Sequence, residues 1–240
     1  MRFRNRLGTV AVAAGLMMAA GTGPGFAQNS DENRVSRLEA EIASLEHRVR
    51  LLEDMEAIKR LQQAYGYYRT ENMAGEIADL FADRPDVSVE IGGQGAYIGK
   101  DRVLDFFAHK AAEMKDGEIN NHYIVQGVVH VAPDGKTAKA RWRAIMQKGI
   151  YGQDGIWAEG PYENEYVKED GVWKFKKIRR YTNVIASYDE GWTEKPLPLP
   201  GPDAEVPPDK APSQTVSYPS MQFIPYHYNH PVTGKPVRAD

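Results

Sequence analysis

The chain contains no cysteine. Thiol nucleophiles, cysteine-held metals and disulfide staples are therefore excluded, and the fold must rest on packing and hydrogen bonding. An excess of positive charge is also lacking. The formal net charge is −3, so there is no electrostatic basis for binding nucleic acid. Long apolar runs are missing too: residues 7–21 form an alanine-rich stretch too short to span a bilayer with any margin. There is no Gly-x-Ser-x-Gly elbow, no phosphate-cradling glycine loop and no dinucleotide fingerprint, which argues against the common nucleotide-dependent and serine-nucleophile chemistries. No solenoid-type repeat is present.

What is present starts with a basic N-terminus. Arg2, Arg4 and Arg6 precede the short apolar stretch, and Gly25-Phe-Ala27 follows as a small-x-small cleavage pattern. Residues 1–27 therefore read as a signal peptide for general secretion, which predicts export to the periplasm of a Gram-negative bacterium and no membrane association after its removal. Removing these 27 of 240 residues takes away three arginines and no acid, leaving 213 residues with a net charge of −6. That length supports one well-buried domain with appendages.

Residues 28–54 carry a heptad pattern. Val35, Leu38, Ile42, Leu45, Val49 and Leu52 recur at alternating spacings of three and four. Valine or isoleucine stands at each a position and leucine at each d position, a choice that favours a two-stranded parallel coil and hence a homodimer. Three heptads are marginal for an isolated coil, so the alternative is a helix packed along its own domain. The apolar stripe then shifts to Met55, Ile58, Leu61, Tyr65 and Tyr68, and residues 74–82 read as a second helix. Residues 87–91 alternate like a strand, Tyr97-Ile98 sits in a glycine-rich hairpin, and residues 100–114 read as helical. From residue 121 onward, four long antiparallel strands are expected over 123–132, 137–150, 156–168 and 172–187, separated by turns such as Asp134-Gly-Lys and Glu169-Asp-Gly. Helices followed by long hairpins make an α+β pattern. Residues 193–240 form a proline-rich tail, in which Pro196, Pro198, Pro200 and Pro202 argue for an extended connector and the aromatic stretch 217–228 for a docking segment.

Tyr65 and Tyr68 are three residues apart and share a helix face, where their hydroxyls could relay a proton or hold an oxyanion; the alternative is a pair of core aromatics with satisfied hydroxyls. His227 and His230 have a spacing compatible with one metal, but no third ligand is evident, and no metal site is expected.

Taken together, Tyr65-Gly-Tyr-Tyr, Ala78-Asp-Leu-Phe-Ala-Asp83, Gly95-Ala-Tyr-Ile-Gly-Lys100, Asn121-His122, Asp134-Gly-Lys-Thr-Ala138, Tyr162-Glu-Asn-Glu-Tyr166 and Gly171-Val-Trp-Lys174 resemble the SnoaL-like polyketide-cyclase and dehydratase family over about residues 55–192. The resemblance implies the cone-shaped α+β fold of nuclear transport factor 2, with a curved antiparallel sheet wrapped around helices. It also implies that His122, at the start of the first long strand, acts as a general base. Dehydratases of this family place an aspartate five residues after the first tyrosine of the motif. Here that position is Thr70, so the carboxylate of the usual dyad is missing.

With that frame, the expected catalytic set is His122, Tyr68, Tyr65 and Arg143, with the arginine as charge stabiliser. Tyr97, Trp157, Glu159, Tyr162, Asn164 and Tyr181 are the expected substrate-binding residues. The implied function is a cofactor-independent lyase (elimination, isomerisation or retro-aldol cleavage) acting on a small aromatic molecule, by analogy a lignin-derived aryl compound. The alternative is a non-catalytic periplasmic binder of an aromatic or polycyclic ligand. Dehydratase relatives that form trimers leave that oligomer open beside the dimer.

Overall fold

The structure, a computed structural model, describes residues 25–111 and 113–237, with side chains from residue 32 onward. The signal peptide expected at 1–27 lies outside these residues apart from the backbone of its last three. The described chain divides after Glu46 into two compact units.

Helix α1 runs over Gly25–Thr70 without interruption. In the first unit its surface carries an i,i+4 ion pair, Arg37 to Glu41 at 3.2 Å, of the kind that adds a few tenths of a kcal/mol to a helix. Val35, Leu38, Ile42 and Leu45 are all about half exposed. The second unit opens with the exposed Val49 and Leu52. The stripe then rotates inward as the sequence predicts: Ile58 and Tyr65 are fully buried, with Met55, Leu61 and Tyr68 packed against the same core.

The rest of the second unit is mixed α+β. Helix α2 (Ala74–Asp79) leads to strand β1 (Ser88–Ile91), a 3₁₀ turn (Gly92–Gln94), strand β2 (Ala96–Ile98) and helix α3 (Lys100–Lys110). Four long strands follow: β3 (Glu118–Val131), β4 (Thr137–Ile150), β5 (Gly155–Glu169) and β6 (Val172–Arg180). Strand β7 (Val184–Ser187) and a last helical turn, α4 (Gly191–Glu194), complete the order. The seven strands make one curved, unclosed sheet in the order β2-β1-β6-β5-β4-β3, with β7 pairing to β5. All neighbours are antiparallel except β1 with β6.

The register decides which side chains share a face. His122 opposes Met146, which opposes Ala158; one rung deeper, Ile124 opposes Ala144 and Ala144 opposes Gly160; deeper still, Trp142 opposes Tyr162 and Tyr162 opposes Arg180. Because strand side chains alternate, these residues line the inner face, which α1 and α3 cover with Tyr65 and Phe107.

Two irregularities shape this face. Pairing slips between Val125 and Val128, where Gln126 adopts φ 53°, and the ring of Trp142 fills the space a side chain at Gly127 would need. A second slip falls between Glu165 and Tyr166, so that Phe175 and Ile178 both point inward although they are three residues apart.

The expected fourth strand, 172–187, is broken at residues 181–183 because both halves pair with β5 and the chain must step around Gly160. A Cβ there would meet the carbonyl oxygen of Tyr181 at 2.1 Å, so only glycine fits.

The tail lies on its own sheet. Asp209 accepts from the backbone N–H of Ile98 at 2.8 Å, Gln214 bonds both backbone groups of Thr182, and His227 bonds Glu163 at 2.8 Å. Among the described residues no helix is long and apolar enough to cross a membrane.

Candidate active site

The inner face brings together His122, Tyr65 and Tyr162. His122 Nε2 and Tyr162 Oη are 2.8 Å apart, and Tyr162 Oη is 3.4 Å from Tyr65 Oη. The direction of the first bond depends on the imidazole tautomer. The Tyr65 ring meets those of Tyr162 and His122 edge-on at about 6.1 Å, an arrangement that fixes all three rings. Gly66 allows this approach: its position lies close to the backbone carbonyl of His122, so α1 packs directly on β3.

Burial is nearly complete, with His122 8 % exposed and both tyrosines 1 % or less. It holds the His122 imidazolium form down: the pKa is pushed well below its ordinary value by desolvation first, then by the fields of Arg180, Arg69 and Lys148. Burial also raises both phenols, so Tyr65 and Tyr162 stay protonated at neutral pH. The site is therefore a neutral base beside two hydroxyl donors in a positive field.

The largest contributor to that field is Arg180, a residue the sequence reading did not single out. It ends β6 on the inner face and is 5 % exposed. Its Nε and Nη2 have no hydrogen-bond partner among the described residues.

Near the open end of the sheet, Asn72, Lys110, Met114, Asn120, Lys148 and Ile156 border a cavity of about 340 Å³. Asn120 opposes Lys148 in the ladder, and His122 lies two residues deeper on the same strand face. The Asn120 amide donates to the carbonyls of Arg69 and Thr70 at 2.9 and 3.1 Å, which ties the end of α1 to this rim. Thr70 donates its own hydroxyl to Gly66 O at 3.3 Å.

The other expected site residues are distributed elsewhere. Tyr68 packs at the margin of the core and is not hydrogen-bonded to His122. Asn164 donates to Gln62 Oε1 at 2.9 Å within a buried network that includes Tyr166 and Trp142, deeper than the histidine.

Arg143 does not join the cluster. It is one residue out of phase with Trp142 and Ala144, so it projects from the outer face, where it bonds Gln126 and Glu159. Trp157 and Glu159 share that outer face. Trp157 stacks on Tyr188 at 5.9 Å in a cavity of about 430 Å³, and Glu159 also accepts from Asn183 at 3.0 Å. Tyr181 follows Arg180 and points the opposite way, with Arg179 over its ring. Tyr97 does not join the cluster either: it is fully buried beneath the tail and donates to Val206 O at 2.8 Å.

Among the described residues no group of three or more acidic or histidine side chains is arranged to hold a metal.

A curved, unclosed sheet with a buried histidine–tyrosine pair on its inner face, packed against helices, defines a protein of the nuclear transport factor 2-like cone fold. Within that fold the chain belongs to the SnoaL-like domain family, whose model matches residues 50–179.

Solved structures agree on the fold. A provisionally assigned scytalone dehydratase from Novosphingobium aromaticivorans superposes with a TM-score of 0.51 at 20 % identity, covering 65 % of this chain and 96 % of that one. The hexachlorocyclohexane dehydrochlorinase LinA superposes with a TM-score of 0.51 at 22 % identity, covering 63 % of this chain and 94 % of that one. A type 2 form of LinA superposes at 0.50 with 23 % identity, covering 58 % and 91 %. At these identities the likeness shows the fold alone. No protein with a curated description matches the chain.

Proposed function

We propose that the protein is a cofactor-independent lyase that eliminates a leaving group from a small aromatic substrate on the inner sheet face. The observation that carries this reading is the 2.8 Å contact between His122 Nε2 and Tyr162 Oη in a buried site where, among the described residues, no carboxylate partners the histidine.

The pair supports a balanced proton transfer, after which proton exchange with water returns the imidazole to its starting tautomer. His122 Nδ1, which has no hydrogen-bond partner among the described residues, takes a proton from the substrate carbon. The electron pair of that C–H bond becomes the new double bond, and the leaving group departs with its own bonding pair. Tyr162 protonates the departing group and is reprotonated through the Nε2–H of His122, so no proton is lost and no external oxidant or metal is required. Tyr65 supports the Tyr162 hydroxyl in this exchange. Two of the solved structures with this fold are, by name, a dehydratase and a dehydrochlorinase, which supports elimination as the reaction class.

The test is turnover by the wild-type protein and by His122→Asn and Tyr162→Phe over a panel of β-hydroxylated and β-halogenated aryl compounds. General acid–base groups contribute roughly 10²–10⁴-fold, so losses of that size are expected in kcat for both variants. Equal turnover in both variants would remove the assignment. A ligand retained unchanged, with no turnover of any compound, would instead indicate the binder reading, which Thr70 in place of an acid favours.

We also propose a homodimer through the heptad stripe, which leaves six apolar side chains about half exposed in the single chain. Leu45→Asp should halve the mass measured by light scattering; an unchanged mass rules the coil out.

A further inference from the structure

Among the described residues no carboxylate forms an ion pair with the buried Arg180, and it is the donor the proposed reaction leaves unused. A guanidinium taken out of water and left unpaired costs several kcal/mol, a cost a fold does not ordinarily carry without a use. The two atoms without partners are Nε and Nη2. They lie side by side on one edge of the planar guanidinium, and that edge matches the two oxygens of a carboxylate.

The neighbours of Arg180 do not supply such a group. The charged and titratable groups whose fields reach it are Tyr162, Tyr65, Arg69 and Glu159, together with His122 and Lys148. The first two are protonated phenols, Arg69 repels it, and Glu159 is engaged on the outer face by Arg143 and Asn183. Between the His122 rung and Arg180, the inner face carries only the small side chains of Ala144 and Ala158, while the backbone at Tyr181 crosses over Gly160. The cavity at the open end carries Lys110 and Lys148, with Glu118 and Asp154 also on its rim. Lys148 itself feels Arg69, Arg180 and Lys110, so the positive groups form one connected field from rim to floor.

We propose that the substrate carries a permanent carboxylate, and that Arg180 binds it side-on through Nε and Nη2 on the inner sheet face. This inference builds on the inner face proposed above as the substrate site and adds the chemical class of what occupies it. The carboxylate supplies the counter-charge that the folded chain lacks. It also offsets the repulsion that adds to desolvation in holding His122 neutral, so the base gains proton affinity when substrate is bound.

Benzoate is a suitable probe, with benzamide as its neutral isostere, measured by calorimetry and thermal shift on the full chain. Benzoate should bind at least roughly tenfold more tightly than benzamide, a difference that one charge-assisted bidentate pair readily provides. Arg180→Gln and Arg180→Met should abolish that preference. Arg180→Met should also unfold at a higher urea concentration than the wild type, because it removes an unpaired buried charge. The stability readout guards against a variant that simply fails to fold, and Arg180→Lys, which keeps the charge but not the fork, should retain only part of the preference. Equal binding of benzoate and benzamide overturns the proposal, as does a benzoate preference that persists in Arg180→Met. Binding is read without turnover, so this result is separable from the role of His122 in catalysis.

Discussion

Gly160→Ala tests the architecture on which the site depends. At this position β5 pairs first with β6 and then with β7, and the chain between them passes directly over the glycine. The added Cβ would stand 2.1 Å from the carbonyl oxygen of Tyr181, 2.8 Å from its carbon and 3.0 Å from the nitrogen of Asn183. Ordinary carbon–oxygen contacts begin near about 3.3 Å, so the crossing backbone has to retreat by roughly 1 Å. That backbone is held by two hydrogen bonds, Tyr181 N–H to Pro161 O and Asn183 N–H to Glu159 O, each at 2.8 Å. Weakening two bonds of about 1 kcal/mol each, with an overpacking strain of about 1–3 kcal/mol, gives an expected loss of roughly 2–4 kcal/mol. The assay is urea unfolding at fixed protein concentration. With a slope of about 2 kcal/mol per molar, the midpoint should fall by roughly 1–2 M. Gly75→Ala is the control: no atom lies within 4 Å of its added Cβ, and alanine suits helix α2, so its midpoint should stay level or rise slightly. A Gly160→Ala midpoint within about 0.2 M of wild type would show that the strand crossing, and with it the placement of Arg180 beside Tyr162, is wrong.

The depressed pKa of His122 links stability to pH. The unfolded chain binds a proton near the ordinary histidine value of about 6.5, whereas the folded chain does not, so stability is full above that value and falls as the pH drops through it. The slope approaches about 1.4 kcal/mol per pH unit, and His122→Asn should flatten it in urea titrations between about pH 6.5 and 5.5; parallel curves would contradict the burial of the imidazole. Asp54 accepts from Lys168 Nζ at 2.6 Å and from Trp173 Nε1 at 2.8 Å, so Asp54→Ala strands a buried indole N–H. It should cost about 1–3 kcal/mol by the same assay, and a change below about 0.5 kcal/mol would show that water replaces the carboxylate.

The fold and part of the candidate site could be read from the sequence because their signals are local. The tyrosine motif, the turn at Asp134-Gly-Lys and the strand alternation fix α1 and β3 to β6, and His122, Tyr65 and Tyr162 come from those segments. The misplacements are errors of phase. Trp157 and Glu159 were grouped with Tyr162 and Asn164 on one strand, although an odd and an even position cannot share a face without a bulge. On β6 the failure is reversed. Counting inward from Trp173 and Phe175 by twos arrives at Tyr181, but the slip opposite Glu165 shifts the phase by one, so that Ile178 and Arg180 turn inward instead. Bulges depend on cross-strand packing, which a single chain of letters does not display. Arg180 was missed for that reason alone.

Thr70 and Arg180 are two parts of one charge balance. An aspartate in place of Thr70 would bring to the end of α1 the negative charge that the inner face lacks, and Thr70 already borders the same cleft as His122. If the field of Arg180, Arg69 and Lys148 is what suppresses the imidazolium, Thr70→Asp should move the His122 pKa upward, because an opposite charge nearby favours the charged form. The same carboxylate would compete with a bound anion, so benzoate affinity should fall in this variant while benzamide affinity holds. Thr70→Asn is the control: it has nearly the same shape as aspartate but no charge, and it should change neither. The readout is the imidazole NMR titration of His122 in the three proteins, with and without benzoate. Identical titrations for the aspartate and asparagine variants would mean that desolvation alone sets the histidine, and that the missing family carboxylate and the unpaired arginine are unrelated.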